Sequence, residues 1–98
     1  MARLLTDDEV ERQLGDLPGW TREGTALVAT LRAPDFRTAI RLVDEVAVEA
    51  EEMDHHPDID IRWRKVRVVL STHDEGGITG RDLALAGEIE SVAGSRTK

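Results

Sequence analysis

The 98-residue chain contains no cysteine and no tyrosine, and only one phenylalanine and two tryptophans. Without thiols there is no cysteine nucleophile, no disulfide framework and no thiolate zinc site, whatever the compartment. Long apolar runs are also missing. No stretch approaches the roughly 20 apolar residues that cross a bilayer, and the opening MARLLTDDEVERQL lacks the apolar core of a signal segment. A soluble, cytoplasmic protein is therefore expected. Positive charge is in deficit: 13 Lys and Arg stand against 20 Asp and Glu, for a formal charge of -7. That balance disfavours a phosphate backbone or an anionic membrane surface, so neither nucleic acid nor membrane is expected as a partner. Repeats, low-complexity tracts and internal linkers are absent too. Residues 1–98 read as a single domain with room for one core and one site, loose only at 95–98 and at 1–5.

What is present is strongly patterned. Thr6 followed three places later by Glu9 has capping-box spacing, and Val10 and Leu14 predict a short first helix closed near Gly15. Trp20 opens a strand, Glu23-Gly24 suits a turn, and Leu27, Ala29 and Leu31 alternate until Pro34, giving a hairpin. From Asp35 onward, Phe36, Ala39, Ile40, Val43, Val46, Ala47 and Ala50 recur at helical spacing, predicting an amphipathic helix to about Asp54. Pro57 disfavours helix at His56 and helps to end it.

In DIDIRWRKVRVVLSTH, Ile59, Ile61 and Trp63 are odd-numbered, whereas Val66, Val68 and Leu70 are even-numbered. Side chains alternate along a strand, so the change of parity predicts a two-residue turn at Arg64-Lys65 between strands 58–63 and 66–71. Thr79 with Asp82 three places on predicts a last helix carrying Leu85, Ile89 and Val92. The expected fold is α+β, in the order α-β-β-α-β-β-α: a four-stranded antiparallel sheet with its helices packed on one face.

This outline brings the chain's three histidines together. His55 and His56 leave the end of the long helix, His73 leaves the last strand, and pairing of the second hairpin makes Pro57 and Ser71 neighbours. Glu51, four residues before His55, and Asp82, a short loop after His73, add carboxylates. Any one histidine at a helix end can simply meet the dipole and loose carbonyls. Three together point instead to general acid–base chemistry, since imidazole both gives and takes a proton near neutral pH. A zinc site is a weaker alternative, because Glu51 and His55 have i, i+4 spacing but no H-E-x-x-H signature is present. The arginines at 62, 64 and 67 read as a solvated sheet face rather than an anion site. Trp20 and Trp63 read as core residues, with a wall for a flat ring as the lesser possibility.

At these residues the chain resembles the pterin-4a-carbinolamine dehydratase family, also known as the dimerisation cofactor of a hepatocyte transcription factor. The likeness runs over nearly the whole sequence. Glu51, three positions, His55-His56-Pro57, five positions, Trp63, then His73 within Ser71-Thr72-His73, and Asp82, match the family signature. The Gly19-Trp20 pair, the Asp35-Phe36 helix start and the Arg81-Asp82 step agree with it. The resemblance implies dehydration of 4a-hydroxytetrahydrobiopterin or a related pterin to the quinonoid dihydropterin, with no cofactor and no metal.

It further implies His55, His56, His73 and Asp82 as catalytic residues, with His55 and His73 as the acid–base pair and His56 orienting the pterin. Glu51 and Asp82 would orient imidazoles, and Glu51, His55, His56, Pro57, Thr72, His73 and Asp74 would bind substrate, the last part through backbone at 72–74. A homodimer made by extending the sheet, or a homotetramer made through helices, is implied as well. Two alternatives remain open: a binding module assisting transcription or enzyme assembly without catalysis, and an enzyme acting on another pterin.

Overall fold

In the computed structural model, which describes residues 3–94, capping side chains set where each helix begins. Thr6 accepts from the Glu9 amide and the Glu9 carboxylate accepts from the Thr6 amide at 2.8 Å, opening α1 (Asp7–Leu14). Asp35 accepts from the Thr38 amide at 2.8 Å and opens α2 (Phe36–Met53). Thr79 and Asp82 repeat the reciprocal box at the start of α3 (Gly80–Ala93). Each cap satisfies amides that have no partner in the first turn, an effect of about 1 kcal/mol.

Between the helices lie β1 (Trp20–Glu23), β2 (Ala26–Arg32), β3 (Asp58–Arg62) and β4 (Lys65–Leu70), all antiparallel in the spatial order β1-β2-β4-β3. The expected element order holds. Register puts Trp20, Ala29, Val68 and Ile59 in one row and Leu31, Val66 and Ile61 in the next, on the face that the helices cover. There Leu27, Val66, Val68 and Leu70 of the sheet, Leu42 and Val46 of α2, and Leu85 and Ile89 of α3 are fully buried in one core. Each such side chain contributes about 1.5–3 kcal/mol by leaving water, so the central strands β2 and β4 hold the sheet together. The other face carries Thr30, Arg32, Asp60, Arg62, Lys65 and Arg67.

Four expectations need correction. The second hairpin turns at Trp63-Arg64 rather than Arg64-Lys65, because Arg62 pairs with Lys65 and Asp58 with Val69. The shift is by two residues in register, so every side chain keeps its face. Trp63 consequently leaves the strand: it occupies the first turn position with φ 55° and is 86% exposed, whereas Trp20 is buried as expected and donates from its indole to Glu90 at 3.2 Å.

Secondly, α2 buries the line Ala39, Leu42, Val46 and Ala50, while Phe36, Ile40 and Ala47 of the expected stripe face solvent with Val48. This helix is apolar on two sides, and spacing alone does not say which side meets the sheet. Thirdly, Leu4 bridges Thr79 and the Leu5 amide donates to Ile78 at 2.9 Å, which ties down part of the segment expected to be loose. Residues 1, 2 and 95–98 lie outside the described residues. Lastly, in α3 it is Ala86 and Ala93 that join Leu85 and Ile89 in the core, with Val92 half-buried. Among the described residues no helix is long and apolar enough to cross a membrane.

Candidate active site

The site begins with how α2 stops. Asp54 takes the left-handed conformation, φ 49° and ψ 45°, and its amide and that of His55 close back on carbonyls of the last turn, the His55 amide reaching Ala50 at 3.0 Å. Glycine is the usual residue for such a finish, with aspartate among the few others that tolerate it. The reversal throws His55 and His56 off the helix axis in different directions. His55 is therefore not stacked above Glu51, as i, i+4 spacing on a continuing helix would have it. Glu51 instead meets His56 at 2.6 Å, an exposed pair. The zinc ligand pair read from the spacing is thus split, because Glu51 and His55 face different partners.

His55 turns inward. It is 7% exposed, and its Nε2 lies 2.5 Å from Oδ1 of Asp82, which is fully buried in the first turn of α3. Oδ2 of Asp82 accepts from the Thr72 hydroxyl at 2.8 Å and from the Thr79 amide at 2.9 Å. Thr72 and Thr79 also share a hydroxyl–hydroxyl bond of 2.8 Å. Burying a carboxylate without partners would cost several kcal/mol. Here the helix cap, the loop threonine and the imidazole jointly satisfy it, and no buried side-chain nitrogen or oxygen among the described residues lacks a hydrogen bond.

His73 arrives from the sheet. After β4 the chain makes a 3₁₀ turn, His73–Glu75, anchored by the Thr72 amide on Gly77 at 2.8 Å and closed by Gly76 at φ 77°. The turn leaves His73 exposed at its start. A cavity of about 290 Å³ opens between it and the end of α2, lined by Asp54, His55, His56, Ser71, Thr72, His73, Asp74 and Arg81. All three histidines thus line one cavity.

Of the other expected site residues, Thr72 and Asp74 line the cavity, whereas Glu51, Asp82 and Pro57 do not. Glu51 and Asp82 reach it through His56 and His55. Thr72 has little left to offer a ligand, since its amide, carbonyl and hydroxyl are all engaged within the protein. Three lining residues were not expected as site residues: Asp54, Ser71 and Arg81. Arg81 donates to the Asp54 carbonyl at 2.7 Å, so consecutive residues of α3, Arg81 and Asp82, hold the two consecutive residues of the α2 terminus. Its place next to the capping Asp82 was the available signal. The Ser71 hydroxyl donates to the Thr25 carbonyl at 2.8 Å, which leaves it unactivated as a nucleophile. The cavity offers proton donors and acceptors on two opposed segments.

The family model described as Pterin 4 alpha carbinolamine dehydratase matches residues 3–92. A protein of Roseiflexus castenholzii, provisionally named pterin-4-alpha-carbinolamine dehydratase, is 55% identical over 92 residues, which are 94% of this chain and 99% of that one. A protein of Mycobacteroides abscessus with the same provisional name is 55% identical over 91 residues, 93% of this chain and 97% of its own. Among solved structures, the transcriptional coactivator/pterin dehydratase from Brucella melitensis superposes with a TM-score of 0.88 at 33% identity, covering 91% of this chain and 97% of that one. A pterin dehydratase-like protein identified as a RuBisCO assembly factor in the alpha-carboxysome shares the fold at 20% identity, with a TM-score of 0.63 over 76% of this chain and 87% of its own.

Proposed function

Because the chain belongs to the pterin 4 alpha carbinolamine dehydratase family, we propose that it dehydrates a 4a-hydroxytetrahydropterin, such as 4a-hydroxytetrahydrobiopterin, to the quinonoid dihydropterin by histidine acid–base catalysis. The carbon–oxygen bond at C4a breaks, the hydroxyl leaves as water after receiving a proton, and N5 gives up its proton as the new double bond forms. No electron leaves the pterin and no covalent enzyme intermediate is required. One imidazole must give and another must take, within hydrogen-bond reach of O4a and N5.

The observation that carries this reading is that His55 and His73 come from separate segments to one cavity and only His55 is fixed by a buried carboxylate. His55 and His73 form the acid–base pair. His56, exposed and paired with Glu51, orients the pterin, and the segment 72–74 forms the wall against which the ring lies. Assembly belongs to the same reading: β1 and β3 are open sheet edges, and Phe36, Ile40 and Val48 make an apolar face on α2. Pairing across an edge gives a homodimer, and burial of the α2 faces joins dimers into a tetramer.

The deciding experiment follows the decay of freshly generated 4a-hydroxytetrahydropterin by absorbance, with and without the protein. Acceleration that saturates with substrate and disappears in a His55→Ala, His73→Ala double variant is expected. A rate no faster than buffer, from folded protein, would end the dehydratase reading and leave a binding module on the same fold.

A further inference from the structure

Thr72, expected from the family resemblance to bind substrate, and Thr79, expected as a helix cap, both have buried hydroxyls, and both lead to Asp82. A threonine hydroxyl has one proton to give. Thr72 gives its proton to Asp82 Oδ2 at 2.8 Å, so in the 2.8 Å contact between the two hydroxyls Thr79 must be the donor. Thr79 in turn accepts from the Arg81 amide at 3.2 Å. The hydrogen bonds therefore run one way, from the Arg81 amide through Thr79 and Thr72 to Asp82.

Every described partner of the Asp82 oxygens other than His55 is a donor: the Thr72 hydroxyl and the Thr79 amide. Both fall on Oδ2, which they satisfy as an acceptor, and an ionised carboxylate leaves Oδ1 to accept as well. Against a carboxylate, the His55 nitrogen at 2.5 Å must carry the proton. His55 lines the cavity and Asp82 does not, and among the described residues Nδ1 makes no hydrogen bond.

We propose that this one-way chain locks His55 as its Nε2–H tautomer, so that the resting imidazole meets substrate with the Nδ1 lone pair as proton acceptor, and that Thr72 and Thr79 are the positioning residues that keep it so. The assignment of His55 as the base rests on the dehydratase reading; the tautomer and the relay do not. The second carboxylate oxygen is the reason two threonines are needed. With Oδ2 pinned by two donors the carboxylate cannot rotate to share its oxygens, and Oδ1 stays aimed at the ring. A catalytic imidazole in the wrong tautomer presents a proton where a lone pair is required.

The test is long-range ¹H–¹⁵N correlation of the imidazole nitrogens in unliganded protein at neutral pH, assigned to His55 by its loss in His55→Gln. In wild-type protein Nε2 should be protonated and Nδ1 bare. Thr72→Val, close to threonine in shape but without a donor, should give a mixture of tautomers. Its kcat should fall about ten- to hundredfold, the range met when outer partners of an oriented imidazole are removed, with KM nearly unchanged. Thr72→Ser should restore both. A wild-type His55 protonated at Nδ1 would overturn the proposal, and where His55→Gln does not fold the same assignment is reached by elimination, from the signals lost in His56→Gln and His73→Gln at the two exposed histidines. Equally, a folded Thr72→Val protein with the wild-type tautomer and wild-type kcat would overturn the role of the threonines. If the wild-type protein shows no dehydration while His55 is the Nε2–H form and shifts in Thr72→Val, the relay stands and the dehydratase reading fails.

Discussion

His55 Nε2 stands 2.5 Å from Asp82 Oδ1, joining the segment just beyond α2 to the first turn of α3 across 27 residues of sequence. The candidate proton-transfer group is thus also a tertiary tie between the two helices that cover the sheet. His73, by contrast, stands exposed on a short turn with no such role. The proposed proton transfer and the stability of the fold are therefore coupled at His55 and separate at His73.

His55→Ala and His73→Ala should both lower dehydration turnover by roughly 10²- to 10⁴-fold, the usual contribution of a positioned acid or base. The double variant should lose less than the product of the two, because groups acting in one step are not additive. Their stabilities should differ. Removing His55 strands a buried carboxylate oxygen and should cost about 2 to 4 kcal/mol in urea unfolding, whereas His73→Ala should stay within about 0.5 kcal/mol of wild type. Equal stabilities for the two variants would contradict the buried tie.

His56 is expected to act on binding. Its pair with Glu51 is exposed, and such pairs contribute about 0–1 kcal/mol to stability. His56→Ala should therefore raise KM with kcat little changed and leave the unfolding midpoint in place. Arg62→Ala, on the opposite sheet face, is the control and should alter neither constant. A collapse of kcat in His56→Ala would move that residue into the proton-transfer pair.

How much of this was legible beforehand depended on whether a feature is local. The Thr6/Glu9 and Thr79/Asp82 boxes were readable because a cap is made within four residues. Convergence of His55, His56 and His73 was readable because a hairpin must return its ends to one place, and it survived a two-residue error in register. The turn itself was misplaced because Trp63 adopts φ 55° where glycine or asparagine would have marked it. The partnering of Glu51 with His56 was hidden by the left-handed Asp54, which ends helical spacing one residue before His55. The threonine relay had no signal beyond Thr79's cap position, since a hydroxyl's tertiary partner depends on how α3 docks against the loop after β4.

The Asp54 turn makes its own prediction. A non-glycine residue in the left-handed region costs about 1–2 kcal/mol, and glycine's greater freedom in the unfolded chain returns about 0.5–1 of that. Asp54→Gly should therefore stabilise the protein by roughly 0.5–1 kcal/mol, because the carbonyl that accepts from Arg81 is kept. Asp54→Val should destabilise it instead, as β-branching is poorly tolerated at positive φ. Thermal unfolding of both variants checks the pair, and a stabilised valine variant would mean the turn is not held as described.

For assembly, light scattering at micromolar concentration should show at least a dimer. If dimers join through the apolar α2 face, Phe36→Glu and Val48→Glu, both at positions that are exposed in the single chain, should leave the fold intact and stop assembly at the dimer. A wild-type protein that remains a monomer would refute both contacts, and a glutamate variant that still forms tetramers would place the second contact elsewhere.

A final prediction concerns acid. The Arg3 guanidinium, 2.6 Å from the carboxylate, and next the Thr6 amide hold Glu9 down at about 2 instead of the usual 4.5. A folded-state value below the unfolded one means that the charged form is favoured by folding. The stabilisation is then fully present above about 4.5, and it is lost progressively as pH falls toward about 2. Glutamine can still accept from the Thr6 amide, so Glu9→Gln keeps the capping geometry and removes the charge that Arg3 meets. Melting temperatures of wild type and Glu9→Gln should therefore differ by a constant amount above pH 5, with wild type higher, and converge as the pH is lowered toward 2. Added salt should narrow the gap, since Arg3 is exposed and Glu9 half-buried, so the pair is screened. A gap that persists unchanged at pH 2 would show that Glu9 stabilises α1 by shape rather than by charge.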